Sequence, residues 1–317
     1  MDKAKLKEKF ENVYRSRIEP CLIPLEQERI EVRNKFIKYI IIMAIVLFAM
    51  YLILAIIPFL AHYKEFLIFG GFVLSICLIL SKTITPFRKK IKGIILSSIL
   101  GVFGKFFIAE KAVISFEDME KYKLFPLATT MTNDDILIGR YNDLNICIQE
   151  CVLSHSTKSG KTSKTIKDFS GILVKINMNK RFEGLTIVRG DNVSGQPPKN
   201  LKRVYLEDPE FEKLYNVFSN DQIEARYLLT TAFMERIKNV REIFAYKACG
   251  ESFPASVCCV FDKGHIILAI STFENFFEVG NIGDTMMKKE IYEKVFYQMV
   301  SIFDLIYALK LEQKLGM

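Results

Sequence analysis

Residues 39–61 read YIIIMAIVLFAMYLILAIIPFLA, a run without a single charge. At about 1.5 Å of rise per residue, a helix of that length exceeds the ~30 Å hydrocarbon core of a bilayer. Residues 66–81, FLIFGGFVLSICLILS, form a second charge-free run. It is short for a span, but Lys64 and Lys82 flank it, and lysines at span ends snorkel toward water and extend the reach. Only His62–Glu65 separates the two runs, which predicts an antiparallel transmembrane hairpin. Mostly polar residues 1–38 precede the first run, and no small-residue cleavage pattern follows it, so a retained span is expected rather than a signal peptide.

The charges sit around this hairpin. The chain carries a formal +8. Residues 1–38 account for +3 and residues 82–111 for +6, while residues 112–317 sum to −1. The excess is therefore a topology signal, and both termini are expected on the cytoplasmic side with the connecting turn outside. A basic face for nucleic acid is not expected from a domain of net −1. Residues 91–109, IKGIILSSILGVFGKFFIA, could form a third span. Lys92, Lys105 and three glycines argue against that, and Ile91, Ile95, Ile99, Val102 and Phe106 fall at helical spacing. An amphipathic or interfacial helix is the expectation.

The seven cysteines are odd in number and lack the spacing of a disulfide framework. Cys147 and Cys151 lie in a strand-like run, where four residues span ~13 Å, too far for a bridge. Reduced, buried thiols are expected. The three histidines stand in no zinc or nucleophile motif.

From residue 110 the pattern turns to short apolar strands and turns. DDILIGRY (134–141), LNICIQECVLS (144–154), GILVKINMN (171–179), GLTIVRGD (184–191), ASVCCVFD (255–262) and HIILAIST (265–272) read as strands. The last two join through Lys263-Gly264, an easy hairpin turn. Asp208 before Pro209 predicts a helix start with Phe211, Leu214, Tyr215 and Phe218 inward, and Asp221 and Thr230 look like caps of two further helices. A long helix runs from Asp284 to the end, with Ile291, Val295, Met299, Ile302, Ile306 and Leu309 in register. The N-terminal helix, with an interruption at Pro20–Pro24, mixes charges as a solvated helix does. The fold class is α+β. The expected divisions are an N-terminal helical segment at 1–38, the hairpin at 39–81, a basic flank with interfacial helix at 82–109, and a cytoplasmic, β-rich domain at 110–317.

One stretch suggests catalysis. In STKSGKTSKT, Gly160-Lys161-Thr162 resembles the end of a phosphate-binding loop, which cradles phosphates with backbone N–H groups at a helix N-terminus. The required earlier glycine is His155 instead, and the following residues read as strand. The segment is expected to be a basic, exposed strand connection with Lys158, Lys161 and Lys164 available to an anionic partner or lipid headgroup.

Several segments resemble an uncharacterised bacterial membrane-protein family, number 3137 among the domains of unknown function. The most specific is FEKLYNVFSNDQIEARYLLTTAFMERI, residues 211–237; KLFP at 123–126 and DDILIGRY look like the family's entry strands, and TIKDFSGILVKINMNKRFEGLTIV and FENFFE match further parts. The resemblance implies a membrane hairpin with a cytoplasmic domain and no established reaction. Within 211–237, Arg226 is expected to be buried and bonded to a distant carboxylate, with anion or partner contact as the alternative. Glu224, Glu235 and Arg236 are candidates for structural roles. Together these readings predict a non-enzymatic protein of a bacterial inner membrane, multi-pass, contacting the lipid bilayer and a protein partner, with no cofactor, metal or nucleic acid. The alternative is a membrane-tethered enzyme or nucleotide- or anion-binding protein.

Overall fold

The computed structural model describes residues 2–56, 64–141, 143–159, 162–178, 183–190, 193, 196–248, 251–272 and 276–314. His62 and Tyr63 of the predicted hairpin turn, Lys161, Cys249 and the first half of FENFFE lie outside them. The chain forms two compact units: a helical one of residues 9–99 with 278–293, and a sheet unit of residues 1–8, 100–277 and 294–317.

In the helical unit, α1 (Lys3–Val13) leads through a π-helical turn at Tyr14–Ile18 into α2 (Glu19–Ile56). Pro20 and Pro24 were expected to interrupt the helix. They lack the N–H that the preceding turn needs, and the wider i→i+5 turn just ahead of Pro20 absorbs the mismatch without ending the helix. The expectation of a solvated helix is also corrected. Phe10, Tyr14, Ile18, Leu22 and Leu25 are all buried, every third or fourth residue along one face. The mixture of charges hid that stripe. Part of its cover comes from the far end of the chain: Tyr292 lies 6.2 Å from the Tyr14 ring, and Lys289 pairs with Glu11 at 2.8 Å. Arg29, 5% exposed, donates to both carboxylate oxygens of Glu26 at 2.8 and 3.0 Å and to the Ile282 carbonyl at 2.7 Å. Glu26 in turn accepts from the Met286 N–H at 2.9 Å.

Helix α3 (Lys64–Ile91) runs antiparallel to α2, as Lys90 pairs with Glu28 while Gly71 faces Leu47 and Met50. Both helices are long and apolar enough to cross a membrane. A core helix of a soluble protein would bury its apolar side chains, yet Ile45 is 63% exposed, Phe48 64%, Phe69 67% and Leu74 63%. The helix continues through a π-turn at Lys92–Leu96 and α4 (Ser97–Leu100), then stops. Residues 91–109 are therefore neither a third span nor one interfacial helix. Gly104, with φ near 157°, turns the chain into β1 (Lys105–Ala109).

The sheet unit is a nine-stranded sheet with α-helices, so the chain is α+β with two long apolar helices near its start and a long helix, α9 (Lys289–Lys314), at its end. The strands are β1, β2 (Thr130–Tyr141), β3 (Leu144–Ser159), β4 (Thr162–Asn177), β5 (Thr186–Gly190), β6 (Lys202–Val204), β7 (Tyr215–Ser219), β10 (Val257–Asp262) and β11 (His265–Ser271). Their order is β1-β2-β3-β4-β11-β10-β5-β7-β6, antiparallel at every pairing. Strands β8 (Tyr246–Ala248) and β9 (Glu251–Phe253) form a separate hairpin. The turn at Lys263-Gly264 has φ of 46° and 79°, the positive values a two-residue hairpin loop requires.

Every residue of β5 and β10 is buried, because both faces of the sheet are covered. On one face, Ile114, Leu124 and two residues of α5 (Phe116–Tyr122), Met119 and Tyr122, join Cys151, Leu153, Phe169, Leu173, Cys258 and Ile267 in one core. On the other, Phe233 of α8 (Thr231–Ile243) meets Phe261 at 5.7 Å, and Phe303 of α9 stacks on Phe103 at 4.6 Å and lies 4.5 Å from Tyr141. Val295, Met299, Ile302 and Ile306 of the predicted α9 stripe are buried. A Ser115 capping box with Asp118 starts α5, and Lys123 in the left-handed region ends it. Consequently KLFP at 123–126 is a helix-terminating turn and not an entry strand. Asp208 caps α6 (Pro209–Leu214) as predicted, but that helix ends early and Tyr215–Ser219 is β7. Alternation of Tyr215, Val217 and Ser219 inward suits a strand, and pairing with β5 and β6 overrides the helical spacing.

Two constraints lend themselves to measurement. Gly171 sits where β4 passes β11, and a Cβ there would come within 2.1 Å of the Ile270 carbonyl oxygen. Gly171→Ala should lower stability by about 2–3 kcal/mol through overpacking, read by urea titration; an unchanged midpoint would refute the close approach. Asp262, the last residue of β10, accepts from Lys121 Nζ at 2.5 Å and Tyr122 Oη at 2.9 Å. Burial alone would raise its carboxyl, but these two donors outweigh burial and hold it below the ordinary value. Its contribution is then complete above the unfolded carboxyl range near pH 4 and is lost as pH falls through the lower folded value. Asp262→Asn should cost about 2 kcal/mol at neutral pH, with the gap to wild type closing on acidification. A gap constant from pH 7 to pH 3 would refute that linkage.

Candidate functional site

Strands β3 and β4 are longer than the sheet they belong to. Strand β2 accompanies β3 only as far as Ser154, and β11 accompanies β4 only as far as Gly171. Pairing between β3 and β4 nevertheless continues from Ser154↔Lys167 to Ser159↔Thr162. Residues 155–159 and 162–167 thus form a two-stranded ribbon beyond the sheet, and among the described residues no further strand pairs with its edges. A register shift at its base leaves Asp168 as an extra residue, since Leu153 pairs with Phe169 and Ser154 with Lys167. The Asp168 carboxylate takes up His155 Nδ1 at 2.8 Å, both side chains being largely shielded. That pair fixes the imidazole where the ribbon leaves the sheet. Among the described residues no side chain bonds its other nitrogen, so the oriented ring has no hydroxyl or thiol to activate.

The ribbon explains the sequence that suggested a phosphate loop. Thr162 opens a strand rather than a helix, so no helix N-terminus is available to the Gly160 region. Ser156, Thr157, Lys158, Ser163, Lys164, Thr165 and Lys167 are exposed. By strand alternation Thr157 and Lys164 share one face, while Lys158 and Ser163 share the other. The candidate lysines Lys158 and Lys164 therefore point to opposite sides and cannot grip one small anion. Lys161 lies outside the described residues.

Arg226 is not part of this surface. It stands exposed on α7 (Gln222–Leu228), next to β6, and donates to the Gln222 carbonyl of its own helix at 2.9 Å. The expected buried pair with a distant carboxylate is corrected: the side chain follows the exposed face of a two-turn helix. Glu224, two residues earlier and on another side of the helix, does reach across the fold. Its carboxylate accepts from the Gly184 N–H at 2.7 Å and the Glu183 N–H at 3.1 Å, fastening the chain just ahead of β5. A Cβ at Gly184 would lie 2.5 Å from that carboxylate, so a side chain there would push the Glu224 oxygen aside. Glu235 pairs with Lys238 at 2.9 Å, and Lys238 extends to Asp208 at 3.4 Å, linking α8 to the cap of α6. Bonds from the Phe211 N–H and Lys238 hold the Asp208 carboxyl below its usual value despite partial burial. Arg236 donates to the Ala232 carbonyl at 3.2 Å. The polar residues of 211–237 organise caps and turns.

Other titratable groups are also structural in their geometry. Burial pushes the Cys147 thiol up to about 11 and Cys151 to about 12, and it raises Cys258 and Cys259 as well, which keeps the thiolate form rare. Burial, then Asp262, raises Tyr122 to about 12. Burial, followed by Lys175, lowers His265, whose Nδ1 lies 3.0 Å from Asn177 Oδ1.

Sequence reading missed one constellation. The bulge between Asn133 and Ile136 inserts Asp134 and Asp135, and these meet Glu150 with carboxylate oxygens within 4.8 Å of one another. Such oxygens suit a hard cation, though one of the Glu150 oxygens already accepts from the Phe276 N–H at 2.9 Å. The acidic pair is visible in the sequence, but the bulge that aims it is not.

Comparison with known proteins adds a family and little else. No curated protein matches the chain. Among solved structures, the crystal structure of the mycobacterial trehalose monomycolate transport factor A, TtfA, is similar at a TM-score of 0.37 and 10% identity, over 69% of this chain and 96% of that one. Residues 167–311 match the family described as "Protein of unknown function (DUF3137)", a range that includes the 211–237 segment. That match runs from β4 into α9 and covers a little under half of the chain.

Proposed function

We propose that this is a non-enzymatic protein of a bacterial plasma membrane, anchored by a hairpin that crosses twice, with both termini and the sheet unit on the cytoplasmic side. In this reading the ribbon of 155–159 and 162–167 is the contact surface for a protein partner. The ribbon itself carries the proposal: its paired strands project beyond β2 and β11, its exposed side chains are polar apart from Ile166, and among the described residues no further strand covers its edges. Open edges offer N–H and C=O groups to an added strand, and lysines on both faces favour an acidic partner. The exposed apolar flanks of α2 and α3 support the anchor. The basic residues at both ends of the hairpin support its orientation.

Orientation is testable with a cysteine placed at an exposed ribbon position. Lys158→Cys should resist a membrane-impermeant maleimide in intact cells and label after permeabilisation. Labelling without permeabilisation would reverse the topology. The partner surface is testable with a photoreactive residue at position 158 or 164 of the full chain in its native membrane. Discrete protein adducts are expected at both positions, reduced about tenfold by charge reversal of the remaining ribbon lysines. A chain that folds normally yet gives no adduct at either position would overturn the ribbon as the contact site.

A further inference from the structure

Between α2 and α3, at the basic end of the hairpin, lies a cleft of about 600 Å³. Its walls change character along its length. At the end nearest the apolar runs it is lined by Leu78 and Ile79, with Tyr39 at the rim, while Val32, Pro86 and Phe87 lie toward the other end. At the opposite end Glu28 and Lys90 close it as an ion pair at 2.6 Å. Midway, Lys35 and Lys82 enter from the two facing helices, and both are exposed. Among the described residues neither makes an ion pair or a side-chain hydrogen bond. Two unneutralised cations above an apolar trough match one kind of molecule: a phosphate ester carrying an alkyl chain.

We infer that this cleft holds one anionic glycerophospholipid of the bilayer, its phosphate between Lys35 and Lys82 and an acyl chain along Leu78 and Ile79. Basic pockets between membrane helices bind anionic headgroups in this way, and an interfacial tyrosine such as Tyr39 sits at headgroup level. The Glu28–Lys90 pair sets the polar limit of the site, because its carboxylate neutralises the third lysine. The geometry also accounts for the lysines themselves. Two like charges lining one cleft repel, and a shared phosphate converts that repulsion into a clamp between the helices. The inference rests on the membrane reading of the hairpin.

The experiment uses the full chain. Membranes are first extracted with alkaline carbonate, and the protein is then purified in detergent and presented with phosphatidylglycerol or phosphatidylcholine of equal chain length in native mass spectrometry. Release by carbonate would overturn the membrane reading and this site with it. With the protein retained, the expected result is at least fivefold preference for phosphatidylglycerol. The Lys35→Gln/Lys82→Gln double variant should lose it at an unchanged melting temperature. Lys89→Gln, on the same helix but outside the cleft, should keep it. Equal binding of the two lipids by wild type, or an equal loss in Lys89→Gln, would overturn the site while leaving the anchor standing. Displacement of the lipid by millimolar glycerol phosphate would overturn it too, marking a site for a free anion instead.

Discussion

The ladder between β3 and β4 is the constraint on which the sheet unit is built. It runs without a break in chain order from Asn145↔Asn177 to Ser159↔Thr162, through a single register shift. Each bond in such a ladder contributes only about 1 kcal/mol net, but leaving one unmade inside a covered sheet costs the full desolvation of the group. Strand β2 and β11 grow outward from its two sides, and each later strand inherits its register from the one before. Close approach at Gly171 keeps β4 and β11 in step, since a side chain there would collide with the Ile270 carbonyl. The same ladder also supplies the part that leaves the sheet. One pairing register thus sets the core and aims the ribbon, with the Asp168 bulge and its His155 bond marking the change from one role to the other.

Apolar residues do opposite jobs in the two units. In the sheet unit they are hidden on both faces, which is why β5, β10 and β11 read as near-continuous apolar runs instead of alternating ones. Antiparallel strands alternate only when one face meets water, and here helices cover one side and the α5 region the other. In the helical unit the long apolar stretches lie outward, and the buried apolar positions gather along Phe10, Tyr14, Ile18 and Leu22 and again along Phe87, Ile91, Ile95 and Ile99. Polar links are concentrated where those contacts end. The Glu26–Arg29 pair, with its bonds to Ile282 and Met286, is one that removal of either partner would leave as a buried, uncompensated charge.

The two apolar helices, the hairpin at Lys263-Gly264, the cap at Asp208 and the final helix were legible from local pattern, because each depends on neighbours within a few residues. What was not legible depends on distant partners. Tyr215–Ser219 has helical spacing and becomes a strand because β5 and β6 flank it. Residues 105–109 continue an apparent helical stripe but pair with β2 once Gly101 and Gly104 break the helix. The charged N-terminal helix hides a buried face whose cover comes from residues near 290. At the candidate site, composition marked the right stretch, since a run of Ser, Thr and Lys without apolar alternation has no core to face. It could not show that the stretch is paired to its tip.

That pairing changes what the lysines can recognise. In a mobile loop, Lys158 and Lys164 could converge on one phosphate, as a nucleotide site requires. On a ribbon they project from opposite faces, and the ladder fixes that separation. A small anion would meet one lysine at a time, with the modest energy of an exposed pair. An extended macromolecular surface can meet both, along with the open backbone edges between them. In the proposed reading, a requirement for two faces and an edge at once favours a protein partner over a small ligand. Anion recognition then falls to the cleft that Lys35 and Lys82 both line.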